Sequence, residues 1–434
     1  MYVLAFILAV FYNNSMEEQK KKKILIVGNS AKEYALAKKF LAYDNIEKIY
    51  AAPGNFAMRD FVEVVDIRED NIAQLLEFAV ENAIDLTVAT SELAIKSDIA
   101  SIFQANGQMI FAPTASSAGM TISKSAGKKF LYKLHIPTPR FGIFDKSQLA
   151  LDYIKNANMP VVIRTDESSA KADRQVCTTV PNARIFTEDL FLSGENKVLF
   201  EDYVYGHEFI YYVITDGYHV IPLTSCANYK FMLDGNGGIL TPGMGAFCPD
   251  YKLSETVQQK LLNNVVTPVI NSLQKRGTPY LGILGVEGVL TDDDKFTVLE
   301  LKSFLSDHDA QAVLNLINEN LYTLFEACAV GSFADDYETL DIADLASVSC
   351  VLSSGKLSGS VIEGIDLAED DVDINHFNTV KNEYFEYITS GGRAVVLTKT
   401  SSTLSRAREL LYENVNVIKF SGMKYRSDIC SLVD

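Results

Sequence analysis

No two cysteines of this chain stand in a CxxC pair. The six (Cys177, Cys226, Cys248, Cys328, Cys350 and Cys430) are scattered, which excludes a zinc-ribbon spacing and suits reduced thiols in a cytosol better than a disulfide scaffold. Histidine is scarce as well. His135, His207, His219, His308 and His376 form no ligand spacing, so no catalytic or metal-binding histidine is assigned. Basic residues are in deficit, 39 against 56 acidic ones, for a formal charge of −17. A polyanion would be repelled, which argues against nucleic acid and membrane surfaces as partners, while a local phosphate site stays compatible. Long apolar runs are missing too. The N-terminal MYVLAFILAVFY has twelve residues, against about 20 for a membrane span, and lacks the basic start and small-residue cleavage site of a signal peptide. Met16 follows, and MEEQKKKKILIVG reads as a natural beginning, so residues 1–15 are taken as an upstream start-codon extension and the lysines at 20–23 as a solvated run.

What is present is ordinary for a soluble globular protein: 48% apolar and 22% charged residues over 434 positions, enough for two to four domains. KILIVGNS is a buried strand entering a glycine turn, and AKEYALAKKFLAY continues at helical spacing. A second strand ends at APGN, and a helix over 71–82, the strand IDLTVAT, a further helix and MIFAPT follow. Strands alternating with helices predict a doubly wound parallel sheet over 16–116. Its ligand edge is the strand C-termini, hence Gly28–Ser30, Pro53–Asn55 and Thr90–Glu92.

SKSAGKKFLYKLH is a helix with Lys124 and Lys128 on one face. MPVVIRTDESSAKADRQV reads as strand, polar loop, strand. The run from NKVLF to VIPL alternates as antiparallel β structure. NYKFMLDGNGGILTPGMGAF reads as a glycine-rich loop too long for a hairpin turn. A helix over 254–275, the hairpin GILGVEGVLTDDDKFTVLELK with Asp292–Asp294 in its turn, and one amphipathic helix over 310–330 come next. Beyond 330 the chain is β-rich, with a helix over 402–414. In VLELKS the carboxylate of Glu300 and the amine of Lys302 stand two apart on a strand, on the same face.

The pieces GNSAKEYAL, APGN, FAPTASSAGMTISKS, PGMGAF and FSGMKYRSDI, in this order, resemble the glycinamide ribonucleotide synthetase (phosphoribosylamine–glycine ligase) family from about residue 23 to 430. The resemblance implies an ATP-grasp architecture: the N-terminal α/β domain, α+β ATP-grasp domains over 117–325 (divided near 190) and a β-rich C-terminal domain over 326–434. It implies a cytoplasmic monomer or homodimer of purine biosynthesis that uses ATP and magnesium. Glycine is phosphorylated on its carboxylate, and phosphoribosylamine attacks the acyl phosphate.

Carried over position by position, the resemblance places Lys124, Arg164, Glu201, Tyr203, Val204 and Glu208 around the nucleotide. Asn29, Glu33, Gly54, Asn55, Lys230, Asp234, Gly243, Met244 and Gly245 fall at the substrate. Arg164, Lys302 and Asp307 fall at the reacting groups, and Glu300 at the metal, with Glu287 as a compensating acid. Three departures stand out. RTDESSAKAD replaces a glycine-rich phosphate loop, and its Glu167 and Asp173 add charge of the wrong sign for ATP. Phe304 replaces an arginine. Lys302 replaces an asparagine that would ligate magnesium, and an ammonium has no lone pair to offer, although it could bring positive charge to the phosphates itself. Three readings stay open: a divergent ligase of this type, a non-catalytic paralogue that binds nucleotide or ribose phosphate, and an ATP-grasp ligase with another amine acceptor.

Overall fold

The computed structural model describes residues 21–167, 174–291, 294–369 and 371–431. The apolar N-terminal stretch, Lys171, Asp173 and the Asp292 end of the hairpin turn lie outside the described residues.

Ile24–Val27 are wholly buried, as befits a central strand covered on both faces. They form β1 (Lys22–Gly28), which pairs in parallel with β2 (Ile46–Pro53) and β4 (Leu86–Ala89). With β3 (Glu63–Val64) and β5 (Ile110–Phe111) they make a five-stranded sheet of order β3-β2-β1-β4-β5, the doubly wound arrangement expected. Its order reverses beside β1, so Gly28–Ser30 and Thr90–Glu92 open on the switch-point crevice.

A second sheet of β6 (Phe141–Phe144), β7 (Val161–Thr165), β8 (Arg174–Cys177) and β9 (Val198–Asp202) is antiparallel, ordered β6-β9-β7-β8. The third sheet holds β10 (His207–Thr215), β11 (Val220–Leu233), β12 (Gly237–Cys248), β13 (Gly282–Leu290) and β14 (Phe296–Ser303). It continues without interruption through β15 (Ala346–Val361), β16 (Asp373–His376), β17 (Thr379–Lys381) and β18 (Tyr387–Ser401). The seam is the antiparallel pairing of β12 with β15, from Gly245↔Cys350 to Cys248↔Ser347. The β-rich C-terminal part therefore extends the central sheet. The helix Leu321–Val330 presses Phe325 flat against Phe111, ring centroids 3.9 Å apart, and docks the parallel sheet onto the rest.

Three expectations are corrected. The glycine-rich run 228–247 is most of a strand hairpin, β11 and β12 joined by the turn Asp234–Asn236. Its glycines serve close packing: at Gly243 (φ +136°) a Cβ would lie 2.1 Å from the His308 ring. The helix expected over 310–330 is broken into Ala310–Leu314 and Leu321–Val330. Between them Ile317 bridges to Ile342, and Asn320 caps the second piece by accepting from the amides of Tyr322 and Thr323. The thiols are not all free. Strand register sets Cys226 opposite Cys248, Cα atoms 4.5 Å apart, and the two form a disulfide, while Cys177, Cys328, Cys350 and Cys430 are free and buried.

Candidate active site

The connection from β9 to β10 runs along a slot between the second and third sheets. Val162 and Val176 line it from one sheet, Val289 and Leu299 from the other, and Glu201, Tyr203, Val204 and Glu208 also face it. An apolar slot rimmed by carboxylates suits a purine and its ribose. Arg164 and Arg174 line both this slot and a larger cleft of about 940 Å³, which reaches the C-terminal edge of the parallel sheet at Asn29, Ser30 and Glu92.

Buried charges pave the junction. The helix Lys124–Lys133 begins at the cap Ser123, whose hydroxyl accepts from the Ala126 amide at 3.1 Å, and so its first-turn lysine enters the floor. The Lys124 amine donates to the Thr121 carbonyl at 3.0 Å and lies 3.4 Å from Glu300. Arg164, at the end of β7, is 3.2 Å from the same carboxylate oxygen and 4.0 Å from Glu201, which Lys128 also pairs. Lys302 stands 2.6 Å from the other Glu300 oxygen and 3.9 Å from Glu287. Lys230 pairs with Glu287 and is 3.6 Å from Glu208. Glu287 and Glu300 face each other across β13 and β14. Burial works against the Glu300 charge, yet Arg164, Lys124 and Lys302 hold its carboxyl well below the usual range. Burial likewise disfavours the Lys302 ammonium, and Glu300 and Glu287 more than offset it, raising its pKa.

At the far end of the cleft Asp307 accepts from the Ser30 hydroxyl at 2.5 Å and from Arg393 at 2.9 Å, with Lys32 at 3.4 Å. Burial opposes its charge, but Lys32 and Arg393 keep it anionic, far below the ordinary carboxylate range. The Arg393 guanidinium lies over the Phe377 ring, 4.1 Å from its centroid. Its Nη1 is buried with no hydrogen-bond partner, and the residue lines the cleft.

Of the residues picked from sequence, Asn29, Glu33, Lys124, Arg164, Lys230, Glu287, Glu300, Lys302 and Asp307 line the large cleft. Glu33 is also a cap: it accepts from the Ser30 amide at 2.8 Å and pairs with the Thr90 hydroxyl, closing the first turn of the helix Ala31–Leu41. Gly54, Asn55, Asp234, Gly243, Met244 and Gly245 are not among the lining residues. Asn55 donates to the His376 carbonyl at 2.9 Å, tying the parallel sheet to β16. Asp234 binds the Ser427 amide at 2.9 Å and its hydroxyl, and Met244 lies in the interior. From that hairpin Lys230, Ile239, Leu240, Thr241 and Pro242 reach the cleft. Sequence reasoning missed Arg393 and Arg174. Arg174 follows the loop after β7 and could have been suspected, whereas Arg393 comes from a strand whose position no spacing reveals.

Comparison with known proteins decides the family. The descriptions "Phosphoribosylglycinamide synthetase, N domain", "ATP-grasp (A) domain" and "C domain" match residues 22–121, 122–310 and 354–431. The chain belongs to the phosphoribosylglycinamide synthetase family. A phosphoribosylamine–glycine ligase of Clostridium acetobutylicum is 31% identical over 94% of this chain and 99% of that one, and one of Neisseria meningitidis is 28% identical over 94% and 98%. Among solved structures, the phosphoribosylamine–glycine ligase of Thermotoga maritima superposes with a TM-score of 0.78 at 20% identity, covering 94% of this chain and all of that one. A biotin carboxylase of Campylobacter jejuni follows the same fold at a TM-score of 0.70 and 14% identity, over 95% and 94%.

The magnesium that an ATP-grasp site implies does not fit these residues. Magnesium needs near-octahedral oxygen donors, and every carboxylate oxygen of Glu287 and Glu300 faces a lysine or arginine. Among the described residues no three Asp, Glu, His or Cys side chains form a group that could hold a metal.

Proposed function

We propose that the chain is an ATP-dependent carboxylate–amine ligase of the phosphoribosylamine–glycine type in purine biosynthesis. The observation that carries this reading is that an apolar slot rimmed by Glu201 and Glu208 shares Arg164 and Arg174 with the cleft that reaches the edge of the parallel sheet at Asn29 and Ser30. The junction between them is floored by Lys124, Arg164, Lys230 and Lys302. Adenine enters the slot beside Tyr203 and Val204, and Glu208 receives the ribose hydroxyls. Arg164, Lys124 and Lys302 neutralise the phosphates at the junction, where low dielectric strengthens their pull. The γ-phosphoryl group passes to the glycine carboxylate, and ADP leaves. The phosphoribosylamine nitrogen then attacks the acyl carbon, inorganic phosphate departs with its bonding electron pair, and the proton lost by the nitrogen goes to the departing phosphate. Asp307, kept anionic by Lys32 and Arg393, accepts a hydrogen bond from that amine and orients its lone pair. The cationic end of Arg393 with its unpartnered Nη1 receives the substrate phosphate, the role that Phe304 cannot fill.

The test is ADP release with glycine and phosphoribosylamine present together, separately and not at all. Release that requires both supports the ligase. A protein that binds ATP yet releases no ADP under any condition is the nucleotide-binding paralogue, a reading favoured by the cation-filled metal position. Release driven only by another amine identifies a changed acceptor.

A further inference from the structure

Glu287 and Glu300 stand opposite each other on the adjacent strands β13 and β14, both under a tenth exposed. That is the place for two carboxylates that share a divalent ion. Each of their four oxygens has a cation within 4.0 Å, although Glu300 Oε2 accepts no hydrogen bond. One Glu287 oxygen pairs with Lys230, and the other is 3.9 Å from Lys302. One Glu300 oxygen is 2.6 Å from Lys302, and the other has Arg164 at 3.2 Å and Lys124 at 3.4 Å. The Lys302 amine thus lies between the two acids, where an ion bridging them would sit.

We infer that Lys302 is a resident cation in place of the divalent metal, so that this chain binds the triphosphate of ATP without one. The inference rests on the reading that the cleft takes ATP. An ammonium carries three N–H donors. Glu300 and Glu287 occupy one side of it, and the side chain, a quarter exposed, still borders the cleft. Around the two carboxylates stand four cations, Lys124, Arg164, Lys230 and Lys302. Arg164 is also 4.0 Å from Glu201, and Lys230 3.6 Å from Glu208. The floor therefore presents positive charge that belongs to the protein. Phosphate oxygens can take these donors directly, as charge-assisted hydrogen bonds, with no ion to dehydrate. A magnesium-bound triphosphate would instead bring a second positive centre against Lys302 and meet a lysine or arginine opposite every carboxylate oxygen.

The experiment is calorimetric titration of the full chain with ATP at constant ionic strength, once in excess chelator and once in millimolar magnesium. The expected dissociation constant in chelator equals or betters that in magnesium. Lys302→Asn removes the ammonium and supplies a metal-ligating oxygen. It should weaken binding in chelator by at least about tenfold, while magnesium now tightens it. Should that variant fail to fold, Lys302→Gln makes the same test of the lost charge, and the wild-type comparison stands alone. Wild-type binding that requires magnesium would overturn the inference and leave the ATP reading intact. No ATP binding in either condition would overturn both.

Discussion

His308 and Asp309 are neighbours in sequence whose charges burial suppresses in opposite directions. Burial and the Arg393 charge push the His308 imidazole down to about 3, and burial pushes the Asp309 carboxyl up to about 7. Asp309 accepts from the Tyr212 hydroxyl at 2.9 Å and the Ser306 amide at 2.9 Å, contacts that only partly compensate. In the unfolded chain an aspartate ionises near pH 4, so the unfolded state gains charge first as pH rises. Native stability falls between about pH 4 and 7, by roughly 4 kcal/mol, and stays lowered above. For His308 the unfolded state binds its proton first as pH falls, so stability rises with pH between about 3 and 6.5. The two trends oppose each other in the wild type. Asp309→Asn removes one of them. Its urea midpoint should exceed the wild type's at pH 8, match it near pH 4, and rise through the His308 window. An equal displacement at both pH values would refute the raised carboxyl. At this scale the sequence was informative where local geometry suffices. Strand periodicity alone put Glu300 and Lys302 on one face, and they meet at 2.6 Å. It was silent on Arg393, which reaches Asp307 across 86 positions, and on the capping role of Glu33, which also lines the cleft.

At the scale of elements, Asp166 fastens the end of β7 to the helix Lys124–Lys133. Its side chain accepts from the Ser125 amide at 2.7 Å, the Ser123 hydroxyl at 3.1 Å and Lys197 at 2.9 Å, and its carbonyl accepts from the Lys124 amide at 2.8 Å. Burial opposes the carboxylate, but Lys197 and the Ser125 amide hold it below its ordinary range. The stabilisation is therefore present above the unfolded pKa and lost as pH falls through the folded one. Asp166→Ala should cost about 1–3 kcal/mol at neutral pH, seen as a lower thermal midpoint. ATP affinity should fall with it, because Lys124 and Arg164 leave from the two ends of this junction. Unchanged ATP affinity would separate the junction from the phosphate floor. Periodicity located most of these elements, and where it failed the cause was distant. The hairpin β11–β12 looked like a loop because its glycines answer to His308 and to the strand beside them. The helix over 310–330 looked continuous because its break depends on Ile342. The disulfide needs strand register, which no cysteine spacing supplies.

At the scale of the whole molecule, the nine-stranded sheet ignores the boundary between the central and C-terminal parts. β15 completes the edge of β12 along Gly245–Cys248. The core beneath that seam mixes Ala227 and Phe247 from the central hairpin with Val348, Leu352, Val395 and Leu397 from beyond it. A second seam packs Ala31 of the parallel-sheet domain against Val351, Phe377 and Val396. Cutting after residue 340 would leave β12 with unpaired amides and carbonyls, a template for other chains. It would also strip the apolar cover from Phe247 and Ala31, and leave Asp307 without Arg393. The fragment 21–340 should therefore elute from a sizing column as aggregate, or unfold without a cooperative transition, even though the apolar slot between the second and third sheets is complete in sequence. Adding the separate 341–434 fragment should restore a cooperative transition if the pair assembles along β12 and β15. A monomeric 21–340 that unfolds cooperatively and binds ATP as the full chain does would show that the seam adds Arg393 to the cleft without holding the fold together.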